Sequence, residues 1–114
     1  MKEDFTITVD KSCTEARRLI LEGRITSTTA NTLHFQVEEN IRMGYAHLIL
    51  NMRQVTFLSS AGIRVLLMFY KEAKKQGGSF HVESPSENVE NVLGMTALDA
   101  MLLKPGDFLP KATP

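Results

Sequence analysis

One short stretch of the sequence restricts the possible folds more than any other. Residues 47–50, His-Leu-Ile-Leu, form a continuous apolar run, which is typical of a central strand buried on both faces of a sheet. After an expected turn over residues 51–60, apolar residues recur at helical spacing from 61 to 76, and two glycines end this helix. A buried strand followed by a long amphipathic helix indicates an α/β protein, because the helix returns the chain to the same sheet.

The first part of the chain shows the same two periodicities. Residues 5–9 alternate apolar and polar side chains, and residues 17–21 form a second apolar run closed by Gly23, so both are predicted strands. Apolar residues spaced by three and four then predict a helix over 27–44, capped by the Ser or Thr at its first two positions. This order of elements favours a small mixed β-sheet flanked by helices.

The last part of the chain continues the alternation. A strand is predicted over 80–83, and Ser84 followed by Pro85 is typical of the start of a helix. Residues 98–102 supply one more apolar turn or short helix, while residues 105–114 lack periodicity and are expected to form a loose tail. We find no repeat or linker that would divide residues 1–114, which predicts a single domain.

Composition excludes several classes of function. Thirteen Lys and Arg balance thirteen Asp and Glu, so the chain has no net positive charge that would favour binding to nucleic acid or anionic lipid. Cys13 is the only cysteine, which excludes an intrachain disulfide and fits a reducing compartment. The N-terminal residues lack the apolar core of a signal peptide, and no apolar run approaches the ~20 residues of a membrane span. We therefore expect a cytoplasmic protein without membrane insertion.

Sequence motifs of catalysis and cofactor binding are absent. The three histidines, His34, His47 and His81, do not have the spacing of metal ligands relative to one another or to the cysteine. No serine lies in a nucleophile-elbow motif, and no glycine-rich phosphate or dinucleotide loop occurs. We therefore expect neither enzymatic activity nor a bound cofactor or metal.

The unusual stretch is residues 55–67, where a buried strand turns through two serines, an alanine and a glycine directly into the long helix. Ser59 and Ser60 stand at the N-terminus of this helix. In one interpretation a serine caps the helix, and the small residues let the turn pack closely on the sheet. In the other, a phosphate on a serine would face free backbone N–H groups and the positive end of the helix dipole.

Two apolar residues lie away from the apolar stripes of their helices. Phe35 and Met68 are expected to be exposed, either as tolerated surface residues or as contacts for a partner. Met68 stands four residues after Arg64 and three before Lys71, so these three share one outward face of the helix. A methionine between two cations would suit contact with an acidic partner.

Three segments together resemble the STAS domain family, which is shared by sulfate transporters and bacterial anti-sigma-factor antagonists. Residues 19–33, LILEGRITSTTANTL, resemble its Leu-x-Gly segment and following helix. Residues 47–67, HLILNMRQVTFLSSAGIRVLL, resemble its central strand and signature turn, and residues 84–98, SPSENVENVLGMTAL, resemble its closing helix. The resemblance implies a small sheet flanked by helices, in agreement with the fold class predicted from periodicity.

In the antagonist branch of this family, the serine two positions before the turn glycine is phosphorylated by an anti-sigma factor that is also a kinase. Alignment on Gly62 places that acceptor at Ser60. Four positions differ from the usual pattern of the family: Ser59 replaces an acidic residue, Ala61 a serine, Asn51 an aspartate at the end of the central strand, and Ala97 a glycine.

The resemblance implies an anti-sigma-factor antagonist that binds a serine-kinase anti-sigma factor and is released by phosphorylation of Ser60. With the outward face of the helix that spacing predicts, the expected partner surface consists of Ser59, Ser60, Ala61, Gly62, Arg64, Met68 and Lys71. Alternatives are a scaffold subunit of a signalling assembly or a STAS subunit of a transporter complex, both without phosphorylation. An enzyme with a Ser60 nucleophile lacks a base motif, and nucleotide binding lacks a phosphate loop.

Overall fold

The computed structural model describes residues 5–11 and 16–103, except for the side chains of residues 99 and 100. The predicted tail, residues 105–114, lies outside this part of the chain, as does Cys13. The strands and helices follow one another along the chain in the predicted order. In sequence they are β1 (Phe5–Asp10), β2 (Arg17–Ile25), α1 (Thr29–Arg42), β3 (His47–Leu58), α2 (Ser60–Lys75), β4 (Ser79–Glu83), α3 (Glu87–Met95) and α4 (Asp99–Leu102).

The four strands form one mixed sheet in the order β1-β2-β3-β4. β1 runs antiparallel to β2, whereas β2, β3 and β4 run parallel to one another. Parallel neighbours require crossover connections, and α1 and α2 supply them. The mixed sheet flanked by helices is therefore confirmed.

The hydrophobic core lies between one face of the sheet and the helices. Leu50 of β3, Leu33 of α1, Leu66 of α2 and Leu93 of α3 all belong to one buried cluster. Within β3, the residues Leu48, Ile49 and Leu50 are almost completely buried. Successive side chains of a strand point to opposite faces, so this confirms a central strand that is covered on both sides.

A polar bridge crosses the opposite face of the sheet. Asp10, Arg18, Ile49 and His81 are register partners in one row across the four strands. The Arg18 guanidinium on β2 reaches Glu83 on β4, with Nε 2.8 Å from Oε2, and it also lies 3.6 Å from the Asp10 carboxylate. The Arg18 side chain therefore passes over β3, where it helps to cover Ile49.

Two predicted strand ends are wrong. β2 continues through Gly23 to Ile25, and β3 continues through most of the predicted turn at 51–60 to Leu58. The two strands stay paired across two register shifts, and Gly23 supports one of them with a φ of 111°. Such bulges place adjacent polar residues on the strand surface, and adjacent polar residues are also typical of a turn.

The cap of α1 also differs from the prediction. Thr28 occupies the cap position but makes no side-chain cap hydrogen bond there. Instead, the backbone N–H of Thr26 donates to Oγ1 of Thr29 at 2.7 Å, and the N–H of Thr29 donates to Oγ1 of Thr26 at 3.2 Å. This reciprocal pair, three residues apart, has the geometry of a capping box and begins the helix at Thr29.

The start of α3 is displaced by two residues from the prediction. Ser86, rather than Ser84, is the N-cap, and its Oγ accepts a hydrogen bond from the N–H of Val89. The same hydroxyl donates to the carbonyl of Val55 on β3 at 2.6 Å. Ser84 instead turns the chain with a φ of 47°. One serine therefore both caps the helix and fastens it to the sheet.

The apolar stripe of α2 is buried unevenly. The predicted stripe consists of Ile63, Leu66, Leu67, Tyr70 and Ala73. Of these, Leu66 and Ala73 are buried, and the other three are only partly covered. Phe69, which the predicted stripe omits, is 4% exposed and lies with its ring centroid 5.1 Å from that of His34 on α1. The buried side of α2 is thus turned toward α1, because the helix packs against its neighbour as well as against the sheet.

Candidate functional site

The turn between β3 and α2 is fixed by Ser59. Its backbone N–H donates to the carbonyl of Ile25 at the end of β2 at 2.9 Å. Its Oγ accepts a hydrogen bond from the N–H of Gly62 at 3.2 Å. Ser59 is therefore the N-cap of α2, which confirms that one serine of the pair caps the helix.

Close packing at the turn explains its small residues. A Cβ atom added to Gly62 would lie 2.6 Å from Cγ2 of Ile25 and 2.7 Å from Cδ1 of Leu58. Ala61 is half-buried and packs against the hydrophobic core. The glycine therefore lets the first turn of α2 approach the ends of β2 and β3, as the sequence predicts for small residues at this position.

Ser60 differs from Ser59 in both exposure and bonding. It is the first residue of α2 and is exposed to solvent. Within the described residues, its hydroxyl has no hydrogen-bond partner. The first backbone N–H groups of a helix have no intrahelical acceptor, and the helix dipole is positive at this end. The Ser60 hydroxyl is thus accessible, in surroundings that favour negative charge.

The predicted outer face of α2 is exposed. Arg64, Met68 and Lys71 all lie at the surface, with Met68 41% exposed. Phe35 on α1 is 58% exposed, as its position outside the apolar stripe predicts. Their role in partner binding stays a prediction.

The sequence interpretation missed an exposed aromatic residue beside this turn. Phe57 was expected inside a buried strand but is 39% exposed, and the Arg24 guanidinium lies 4.7 Å from the centre of its ring. The prediction fails because Thr56 is the extra residue of a bulge between Val55 and Phe57, so Thr56 and Phe57 both face solvent while Leu58 is buried. The one available signal was the adjacent pair Phe57-Leu58, since a strand sends adjacent side chains to opposite faces.

Asn51 does not lie beside the turn. It was expected at the end of the central strand, but β3 continues for seven residues to Leu58, or about 23 Å at the rise of an extended strand. Its side-chain amide donates instead to the Glu83 carboxylate at 3.2 Å. Asn51 therefore belongs to the polar bridge on the sheet face and is remote from Ser60.

The histidines remain separate in the described part of the chain. His34 lies on α1, His47 on β3 and His81 on β4, and no three potential metal ligands come together among the residues described. Over the same residues, no helix has the length and apolar character that crossing a membrane requires.

Comparison with known proteins agrees with the mixed sheet and its flanking helices. The STAS domain model matches residues 12–109. An anti-sigma F factor antagonist of Paenibacillus polymyxa is 29% identical over 79 residues, which are 68% of each chain. The structure of the anti-sigma factor antagonist SpoIIAA in its unphosphorylated form has a TM-score of 0.74 at 17% identity and covers 86% of both chains. The phosphorylated form of Bacillus SpoIIAA has a TM-score of 0.68 at 17% identity and covers 86% of this chain and 89% of that one. This chain belongs to the STAS domain family.

Proposed function

We propose that this protein is an anti-sigma-factor antagonist, a non-catalytic cytoplasmic regulator that binds a serine-kinase anti-sigma factor and is released when Ser60 is phosphorylated. The observation that carries the proposal is the division of roles in the turn. Ser59 caps α2, and Ser60 presents an exposed hydroxyl beside it. The names of the Paenibacillus relative and of SpoIIAA support the same function.

Phosphorylation at this position would act mainly on the surface charge. A phosphate adds about −1.5 to −2 charges, and it would stand at a helix N-terminus that tolerates negative charge. The fold therefore need not change when Ser60 is modified. A partner surface that accommodates a neutral hydroxyl would meet this charge with repulsion and desolvation, and a cost of about 2.7 kcal/mol weakens binding about a hundredfold.

The proposed partner surface centres on Ser60 and extends along α2 through Arg64, Met68 and Lys71. The turn residues Ser59, Ala61 and Gly62 hold this surface in place through the cap and the close packing on β2 and β3. The Arg24–Phe57 pair adds an exposed aromatic ring and a cation next to it. Aromatic and arginine side chains are frequent at the centre of protein interfaces. The cations on this surface favour an acidic partner segment.

The test is phosphorylation by the kinase that co-purifies with the protein from its native cell. Intact mass should show one added phosphate, which Ser60→Ala abolishes and Ser59→Ala retains. Binding of the unphosphorylated protein to the same kinase should be lost after the phosphate is added. Transfer of the phosphate to Ser59 would contradict the assignment of the acceptor.

A second candidate function is that of an unmodified scaffold subunit in a signalling or transporter complex. The sequence feature that favours it is Ser59, which stands where antagonists of this family usually have an acidic residue. In that case Ser60 remains unmodified in the purified complex, and Ser60→Ala and Ser60→Asp bind the partner equally well. A membrane protein among the co-purified partners would identify the transporter role.

A further inference from the structure

A groove lies between α1 and α2, in the helical layer of the molecule. It encloses a cavity of about 380 Å³, with Ile41, Met68 and Phe69 as its apolar lining. Glu38 on α1 and Glu72 on α2 also line this cavity, one from each helix. A cavity of this size has room for one or two large side chains or a small ligand.

The apolar surface of the groove continues outside the cavity. Met68 is 41% exposed, and Phe35 is 58% exposed on the same side of α1 as Glu38 and Arg42, which follow it by three and seven residues. Single exposed apolar residues are ordinary, but Phe35 shares one side of α1 with two lining residues of the cavity and so extends the apolar surface beyond Met68. This extended surface suits a protein segment better than a small molecule confined to the cavity.

The charge of the groove indicates what kind of segment would bind. Glu72 accepts a hydrogen bond from the side-chain amide of Gln76, and the one cation of the lining, Arg42, lies 3.5 Å from the Glu39 carboxylate on its own helix. Within residues 5–11 and 16–103, neither Glu38 nor Glu72 forms an ion pair. Two carboxylates from opposite sides therefore give the groove a negative potential.

We propose that this groove is a second docking surface, which binds a protein segment that presents an apolar side chain next to a Lys or Arg. The apolar side chain would enter the cavity against Phe69, and the cation would pair with Glu38 and Glu72. A second copy of this chain would instead bring the same two carboxylates face to face. Nucleic acid and anionic lipid would be repelled in the same way.

This groove adjoins the proposed Ser60 partner surface and shares Met68 with it, but its two carboxylates lie outside that surface. Met68 lies eight residues after Ser60, or about 12 Å along the helix axis. A phosphate on Ser60 leaves the groove residues unchanged, so it should not release a segment bound in the groove, whereas two partners that both contact Met68 would exclude each other. Variants of Ser60 and variants of Glu38 and Glu72 therefore test the two surfaces separately.

The probe is a short helical peptide composed of leucine and lysine at helical spacing, and its counterpart has glutamate in place of lysine. Backbone amide resonances of the full-length protein are followed by NMR during titration. The lysine peptide should shift resonances of α1 and α2 around the groove and bind at least about tenfold more tightly than the glutamate peptide. Equal binding of the two peptides, or shifts confined to other elements, would overturn the proposal.

Variants identify the groove residues. The double variant Glu38→Gln with Glu72→Gln should weaken the lysine peptide about tenfold, and Met68→Ser should also weaken it. Met95→Ser is the matched control, because Met95 is 85% exposed on α3 and outside the groove. If Met95→Ser weakens binding as much as Met68→Ser does, the groove is not the site. Ser60→Asp should bind the peptide normally, and a loss there would refute the independence of the two surfaces.

Discussion

The Ser59 hydroxyl oxygen lies 3.2 Å from the backbone nitrogen of Gly62 and accepts its hydrogen bond. This contact caps α2 and decides which of the two adjacent serines is free. Because Ser59 performs the structural role, the exposed hydroxyl of Ser60 can be modified without loss of the cap. The capping interpretation therefore applies to Ser59, which leaves Ser60 as the proposed site of modification.

The first prediction separates these roles by stability and by binding. Ser59→Ala should lower the free energy of unfolding by about 1 kcal/mol, because it removes the cap. Ser60→Ala and Ser60→Asp should each leave it within about 0.5 kcal/mol, since neither removes a hydrogen bond. Ser60→Asp alone should lose affinity for the proposed anti-sigma-factor partner. Denaturant melts and a binding assay on the three variants measure both effects, and a destabilised Ser60→Ala would show that Ser60 has a structural role.

The second prediction concerns the close approach at Gly62. Gly62→Ala places a methyl group against Ile25 and Leu58, so it should destabilise the fold by about 1–3 kcal/mol. Gly94→Ala on α3 is the matched control, because its added Cβ meets no atom within 4 Å. That control should be neutral or stabilise the helix by up to about 1 kcal/mol. Thermal or denaturant melts compare the two, and equal effects would contradict the close packing at the turn.

The third prediction concerns Ala97, which stands where the family usually has glycine. Its φ is 60°, in the left-handed region, and the next residue, Leu98, donates its N–H to the carbonyl of Leu93 at 2.9 Å. This geometry ends α3 in the manner that glycine favours. Ala97→Gly should therefore raise the free energy of unfolding by about 0.5–1 kcal/mol. Ala61→Gly, inside α2, should lower it instead. A destabilised Ala97→Gly would show that the loop relaxes to another conformation.

The fourth prediction concerns acid stability and His81. The ring is 6% exposed, and its Nδ1 has no hydrogen-bond partner within the described residues. Burial lowers the pKa of His81 below 6.5; the Glu83 carboxylate partly opposes this, and the Arg18 guanidinium adds to it. At mildly acidic pH, the His81 imidazole is therefore protonated more readily in the unfolded chain than in the folded one. The contribution of His81 to the free energy of unfolding is full above pH 6.5 and falls as the pH drops below that value.

The measurement is a series of denaturant melts from neutral to mildly acidic pH. His81→Gln should show a smaller loss of stability on acidification than the unmodified protein, even if it is less stable at neutral pH. His34→Gln controls for the removal of an imidazole from the chain. If His81→Gln loses stability with acid as steeply as the unmodified protein, titration of His81 is not responsible. The carboxylates of Glu83 and Asp10 are common to all three proteins.

The order of elements could be predicted from sequence because each depends on a local period. The apolar run at 47–50 indicated a strand and the stripe in 61–76 indicated a helix. The succession of such strands and helices along the chain implied the mixed sheet. The residues at which strands and helices end depend instead on the neighbouring elements that they pair or pack with. Gly23 and Asn51 resemble strand ends until the pairing of β2 with β3 is known.

The candidate site was predictable to the same extent. The turn and the exposed face of α2 follow from spacing, and the STAS resemblance selects Ser60 within the turn. The local sequence does not decide which serine caps a helix: Ser84 and Ser86 both precede α3, and Ser59 and Ser60 both precede the apolar part of α2. Tertiary contacts decide, since Ser59 is held by Ile25 and Ser86 by Val55.

The last prediction tests the partner surface along α2. Arg64 and Met68 are exposed, so the double variant Arg64→Glu with Met68→Asp should remain folded. It reverses one charge and puts another in place of an apolar contact. Binding to an acidic surface of the proposed anti-sigma-factor partner should therefore weaken at least about tenfold.

The matched control for this double variant is Lys75→Glu with Met95→Asp, which makes the same change of charge at exposed positions near the end of α2 and on α3. It should bind the partner with an affinity close to that of the unmodified protein. A melt verifies that both double variants are folded before binding is compared. If the two variants bind equally, the outer face of α2 makes no contribution, and the Ser60 turn with the Arg24–Phe57 pair is the contact that remains.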